Sequence, residues 1–224
     1  MLLDIFQQGL DPYNLFISVL SVLLVAITAF AYHEFAHAFV ADYLGDPTPR
    51  ENGRMTFNPL PHLDMMGMIL LLFIGFGWAT TPVRPDLLRG DPRRSMALVA
   101  VAGPMANLFM AILFSIPWQL IKFGLLDADM FFASDFAFFF WVGLNINILL
   151  LVFNLLPVPP LDGFTILIGL LPDPLAAPLI AIRRSPISLY LLLGVLFILP
   201  RVTGFGIGNL ISPIVERVLG LLIS

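Results

Sequence analysis

Long runs with few charged side chains constrain this chain more than any other feature. Tyr13 to Val40, Ser95 to Phe123 and Phe136 to Pro157 are each long enough, as helices rising about 1.5 Å per residue, to cross about 30 Å of hydrocarbon. A fourth apolar region, Ile187 to Ser224, is divided by Pro200, Gly204, Gly206 and Gly208 into two short pieces. Only 12% of the 224 residues are charged and 59% are apolar, against about 25% and about 45–50% in soluble domains. So few charges cannot clothe a water-facing surface, so the chain is expected to be an all-α polytopic membrane protein with about four spans and up to six membrane segments.

The polar pieces between the runs set the expected layout. Met65 to Ala79 is apolar but only 15 residues long. With the turn-rich Asp42–Asp64 stretch before it, it suggests a re-entrant and possibly β-containing segment near residues 46–80. Arg84, Arg89, Arg93 and Arg94 crowd one loop and Arg183 and Arg184 another, so both are expected on the cytoplasmic side. The N-terminus, with Asp4 and Asp11 and no basic residue before Asp11, and the acidic loop holding Asp127, Asp129 and Asp135, are expected outside. These assignments agree only if Asp42–Ala79 enters and leaves on one side. Met1–Gln8 lacks the basic start of a cleaved leader, so the first run is taken as a retained span. Residues 1–224 are expected to form a single domain, with a core over about 14–170 and membrane segments over about 187–224. The net charge of −4 without a basic run argues against a nucleic-acid partner, and the absence of cysteine excludes disulfides, thiol nucleophiles and Cys-ligated zinc.

The chemistry is concentrated in His33-Glu34-Phe35-Ala36-His37. Residues i and i+4 of a helix lie one turn apart on one face, so both imidazoles can reach one zinc ion, and Glu34 beside the first can act as general base on water. The plainer explanation is an interhelical hydrogen-bond network without metal. It must account for three ionisable groups in one apolar helix, each costing about 2.5–3.5 kcal/mol to insert. Two His leave zinc short of ligands. The only other His is His62, and among the carboxylates Asp162 stands out, at the end of Asn154-Leu155-Leu156-Pro157-Val158-Pro159-Pro160-Leu161-Asp162-Gly163. Its prolines break the helix and expose backbone, which at membrane depth must be buried in protein or line a cavity. A turn or helix-capping role for Asp162 remains open. Asn154 could donate to a developing oxyanion. His62 and Asp64 could orient a ligand or a substrate carbonyl, or could simply be interfacial turn residues. Asn107 could bond unwound backbone nearby or hold two helices together, and Gly103 and Ala106 would let helices approach.

These motifs, with Phe57-Asn58-Pro59-Leu60-Pro61-His62-Leu63-Asp64, Gly77-Trp78-Ala79 followed by Pro82-Val83, and Ala102-Gly103-Pro104-Met105-Ala106-Asn107, resemble the site-2 protease family of intramembrane metalloproteases. The likeness covers roughly residues 20 to 170 and points to a compact prokaryotic branch without PDZ or CBS domains. The family often reads D-G-G where this chain has Asp162-Gly163-Phe164. The resemblance implies one zinc ion held by His33, His37 and Asp162, a water activated by Glu34, and Asn154 positioning substrate or stabilising the oxyanion. It implies a transmembrane protein as substrate and a prokaryotic plasma membrane, with the site in the cytoplasmic half. Backbone around Gly53 to Pro59 is expected to accept an extended substrate by strand addition. The competing readings are a membrane metal carrier, which needs a polar path across the whole bilayer, and a non-catalytic scaffold, which has no use for Glu34.

Overall fold

The structure, a computed structural model, describes residues 11–62 and 81–224. Helix α1 (Pro12–Tyr43) begins where the Asp11 carboxylate accepts the N–H groups of Tyr13 and Asn14, with Pro12 in the first turn. Those N–H groups have no earlier carbonyl to bond, and a proline there sacrifices no hydrogen bond. After the single-turn helix α2 (Thr48–Glu51) comes α3 (Pro92–Lys122), capped in the same way by Asp91 over Arg93 and Arg94. A short α4 (Ala128–Phe132) precedes α5 (Asp135–Asn154). Then follow α6 (Asp162–Leu170), α7 (Asp173–Arg184), α8 (Ile187–Thr203) and α9 (Ile207–Ile223). Among the described residues there is no strand, and the chain is an all-α integral membrane protein.

Helix α3 is the centre of the bundle, packed against α1, α5, α6 and α9. Side-chain contacts set the directions. His37 meets Val99 while Asn107 meets Ala29, so α1 and α3 are antiparallel. Asn107 meets Asn147 while Phe114 stacks on Phe140, so α3 and α5 are antiparallel too. Helices α1 and α5 therefore run the same way, with the Tyr13 hydroxyl bonded to the Asp135 carboxylate at their starting ends. The core is a layer of Val22, Val25, Ala111, Phe114, Leu144 and Ile148 between these helices. Lipid is as apolar as these side chains, so close packing must hold the helices together. Glycine makes it possible: a Cβ on Gly143 would lie 2.3 Å from the Phe114 ring, and one on Gly169 the same distance from the Ala97 methyl. Outward-facing Phe16 and Phe109, 62% and 60% exposed, present apolar surface to lipid.

Among the described residues three helices, α1, α3 and α5, are long and apolar enough to span a bilayer, and the bent pair α7–α8, turning through 86°, could make a fourth. This meets the lower end of the four to six expected segments. The last apolar region is divided as the glycines indicate: Gly204 takes a φ of +71° and α9 starts after Gly206. Pro200 stays inside α8, just after a π-helical turn at Gly194–Ile198. A proline supplies no N–H to the preceding turn, so a local change of helical pitch there is expected. Within the segment expected to be re-entrant, residues 46–62 hold α2 and a 3-10 turn, Leu60–His62, without β structure. Gly53–Pro59 is not an extended edge. Gly53 has a φ of +68°, and the Thr56 hydroxyl and Asn58 amide oxygen accept the N–H groups of Asn58 and Leu60, curling the chain into turns. The apolar Met65–Ala79 piece, Gly77-Trp78-Ala79 and Asp64 lie outside the described residues.

Gly143→Ala is expected to destabilise the bundle by about 1–3 kcal/mol through overpacking against Phe114. Gly220→Ala, whose new methyl meets nothing within 4 Å, should leave stability unchanged or slightly raised. Unfolding of the two variants in mixed micelles checks the contrast.

Candidate metal centre

His33 and His37 lie one turn apart on α1, facing α3 and the start of α6. Each ring is fixed at its Nδ1. The Nδ1 of His37 stands 2.7 Å from the Val99 carbonyl, which can only accept, so this nitrogen carries the proton. The Nδ1 of His33 stands 2.6 Å from Asn107 Oδ1. The orientation of that amide follows from its neighbours. Asn147 donates to the Gly143 carbonyl at 2.8 Å and so turns its own Oδ1 to Asn107, whose Nδ2 donates at 3.1 Å. Asn107 thus has only its oxygen left for His33. Asn107 and Asn147 are both fully buried.

In a neutral ring with a proton on Nδ1, Nε2 is a lone pair. The two Nε2 atoms are 3.0 Å apart. Asp162 Oδ2 lies 3.1 Å from that of His33 and 3.3 Å from that of His37, and this buried oxygen has no hydrogen-bond partner. Three electron-rich atoms thus converge with no donor between them, which is unfavourable unless a cation holds them together. Tetrahedral ligands about 2.0–2.1 Å from zinc stand about 3.3 Å from one another. The donor types and their spacing both fit. Gly103 of α3 leaves the room: a Cβ there would sit 2.5 Å from both Nε2 atoms. Its missing side chain thus admits imidazoles, where the sequence suggested helix contact.

Asp162 arrives because the chain turns back after α5. Prolines 157, 159 and 160 end the helix, and Asp162 opens α6 as an acidic residue of its first turn, where the helix dipole favours negative charge. The adjoining Gly163 packs against the Leu155 carbonyl, where no Cβ fits. Glu34 is buried beside the histidines, and its Oε2 accepts from the Thr81 hydroxyl at 2.7 Å. A cavity of about 530 Å³ opens over His33, Glu34, His37 and Asp162, with Phe30, Leu150, Phe153 and Leu189 among its walls. Asn154 lines it as well, but its amide nitrogen rests on the Leu150 carbonyl of its own helix, at 3.0 Å.

The structure therefore brings His33, Glu34, His37, Asn154 and Asp162 to one place. Asn107 joins them by orienting His33, and through Asn147 it also makes the helix tie expected of it. His62 does not join: it is fully buried, and its Nε2 donates to the Thr56 carbonyl of its own turn at 2.8 Å. Asn147 and Thr81 were not anticipated. Asn147 sits seven residues before Asn154, on the same helix face, and that spacing was a readable signal. Thr81 had none, since it reaches Glu34 across 47 positions of chain.

Gly103→Ala is expected to abolish metal binding in a chain that still folds, because the methyl would occupy the space of the two nitrogens. Asn107→Leu and Asn147→Leu should lower metal affinity, by about 10–100-fold where the tether of His33 is lost. Metal content per purified chain and competition with a chelator would measure both effects.

No family model and no solved structure matches this chain. Known proteins do. One from Bacillus subtilis, named "Putative zinc metalloprotease YwhC", is 37% identical over 180 residues, which is 80% of this chain and 80% of that protein. "Putative zinc metalloprotease Rip2" of Mycobacterium tuberculosis is 30% identical over 209 residues, 90% of this chain and 74% of the relative. "Putative zinc metalloprotease MJ0611" of Methanocaldococcus jannaschii is 29% identical over 161 residues, 69% of this chain and 73% of the relative. With identity at that level over four fifths of both partners, this chain belongs to the family its motifs resemble, the site-2 protease family of zinc metalloproteases.

Proposed function

We propose that this chain is a zinc-dependent endopeptidase that hydrolyses peptide bonds of transmembrane proteins within the bilayer. One observation carries the reading: two imidazole lone pairs and an unpartnered carboxylate oxygen converge beside a buried glutamate, in a cavity walled by membrane helices. A metal carrier needs the ligands but not the glutamate, and a scaffold needs neither.

His33, His37 and Asp162 would hold the ion. Zinc, when bound, supplies a Lewis acid that polarises the scissile carbonyl and brings the pKa of water towards about 7. Glu34 accepts a proton from the attacking water on its carboxylate and returns it to the departing amine. Asn154 rests its amide on the Leu150 carbonyl and turns it to the scissile carbonyl oxygen as charge develops there. The apolar walls accept the side chains that flank the scissile bond in a membrane segment. That segment must give up its internal hydrogen bonds locally before its backbone can be attacked.

The depth of the site supports cleavage inside the membrane. His33 lies ten residues before the end of α1, or about 15 Å along its axis. The basic loop that contains Arg84, Arg89, Arg93 and Arg94 caps the bundle at this same end, whereas Asp11, Asp127 and Asp135 lie at the other. By the excess of positive charge in cytoplasmic loops, the site lies in the cytoplasmic half of the bilayer, which the family resemblance makes a prokaryotic plasma membrane.

Glu34→Gln should keep one zinc per chain and lose cleavage by about 10²–10⁴-fold. Asp162→Ala should lose both. Zinc analysis, paired with cleavage of a single-span test protein in vesicles, checks this. Wild-type cleavage by a metal-loaded Glu34→Gln chain would refute the assignment.

A further inference from the structure

A carboxylate that moves protons has to be held still, and the helix that carries Glu34 does not do this by itself. A glutamate side chain turns about three torsions, and its neighbours His33 and His37 are committed elsewhere. The partner that holds it comes from a distant part of the chain. The Thr81 hydroxyl lies 2.7 Å from Glu34 Oε2 and 3.1 Å from the Glu34 backbone carbonyl. It carries one proton, and the shorter contact to the charged oxygen is the stronger claim on it. The hydroxyl therefore donates to Oε2 and holds the carboxylate at a set place relative to the turn that bears both imidazoles.

Thr81 is itself held firmly. Pro82 confines it to an extended backbone, and its β-branched side chain is stiff about χ1. Three residues on, the Arg84 N–H donates to Asp46 Oδ2 at 2.6 Å, while Oδ1 of this fully buried aspartate accepts the Thr48 N–H at 3.0 Å. The Arg89 N–H donates to the Leu44 carbonyl at 2.8 Å. Val83 and Leu88 pack with Ala41 and Val99. The turn that leaves α1 thus grips the segment that returns Thr81 to α1.

We propose that Thr81 is a positioning residue for the proton-transferring carboxylate: its hydroxyl pins Glu34 Oε2, so that Oε1 takes the proton of the attacking water. This rests on the protease reading above and adds to it a residue given no role so far, in the gap between Gly77-Trp78-Ala79 and Pro82-Val83. Its role is through Glu34 and requires no contact with substrate.

The test compares Thr81→Val, which keeps the shape and removes the hydroxyl, with Thr81→Ser, which keeps the hydroxyl, in the purified full-length chain. Thr81→Val is expected to retain one zinc per chain and its KM for a single-span test protein, with kcat reduced about 10–100-fold. Thr81→Ser should recover most of kcat. Acetohydroxamate gives a readout apart from turnover, since it chelates zinc and also hydrogen-bonds the general-base carboxylate. Its affinity should weaken in Thr81→Val, recover in Thr81→Ser, and show no further loss when Thr81→Val is added to Glu34→Gln. Three results would overturn the proposal: unchanged kcat and hydroxamate affinity in Thr81→Val; zinc or thermal stability lost in step with activity, which would make Thr81 a strut; or the same hydroxamate loss in the Glu34→Gln background. Failure of the protease reading itself looks different, as full cleavage by Glu34→Gln.

Discussion

The site depends on two tethered ring nitrogens. An imidazole can present either nitrogen, and a histidine on a membrane helix is free to rotate towards any polar group within reach. Here the Val99 carbonyl takes the Nδ1 proton of His37 and Asn107 takes that of His33, and only then do both Nε2 lone pairs face the same point. The tether on His33 is the longer. It runs through Asn107 and Asn147 to the Gly143 carbonyl, crossing from α1 through α3 to α5. Each link has one assignment of donor and acceptor, because the last is a backbone carbonyl that can only accept.

The bilayer explains why the tether is built this way. Inside hydrocarbon an unpaired polar group is costly, and water is not at hand to satisfy it. Buried asparagines there must bond one another and the backbone, and doing so they lock three helices in one register. Helices also need close approach to gain packing energy, so glycine recurs where they meet α3, at Gly143 of α5 against Phe114 and Gly169 of α6 against Ala97. Gly103 uses the same missing side chain for another end, admitting two rings. Helix α3 therefore serves as packing hub and as the wall that orients the histidines.

Much of this could be read from the sequence. The three long helices begin within a few residues of their expected positions, and the break near Gly204 falls where the glycines put it. His33, Glu34 and His37 were legible because four-residue spacing on a helix is a local property. Asp162 was legible from the proline-broken stretch before it and from the family that stretch resembles, with a turn role left open. Gly53–Pro59 departs from the expected edge: turn residues there bond their own neighbours, and that local competition defeats extended pairing. His62 stands near the motifs in sequence, but its ring turns into its own loop.

Alone, the sequence determined the solvent of this protein, the spacing of its helices and the pair of imidazoles on one helical turn, since hydrophobicity and helical period act over a few residues. Only the tertiary structure decided that Asp162 closes the set from 125 positions after His37, that Asn107 and Asn147 orient His33, and that Thr81 grips Glu34. Those contacts join residues far apart in the chain. They exist because α3 packs against α1, α5 and α6 in one register, which no local periodicity records.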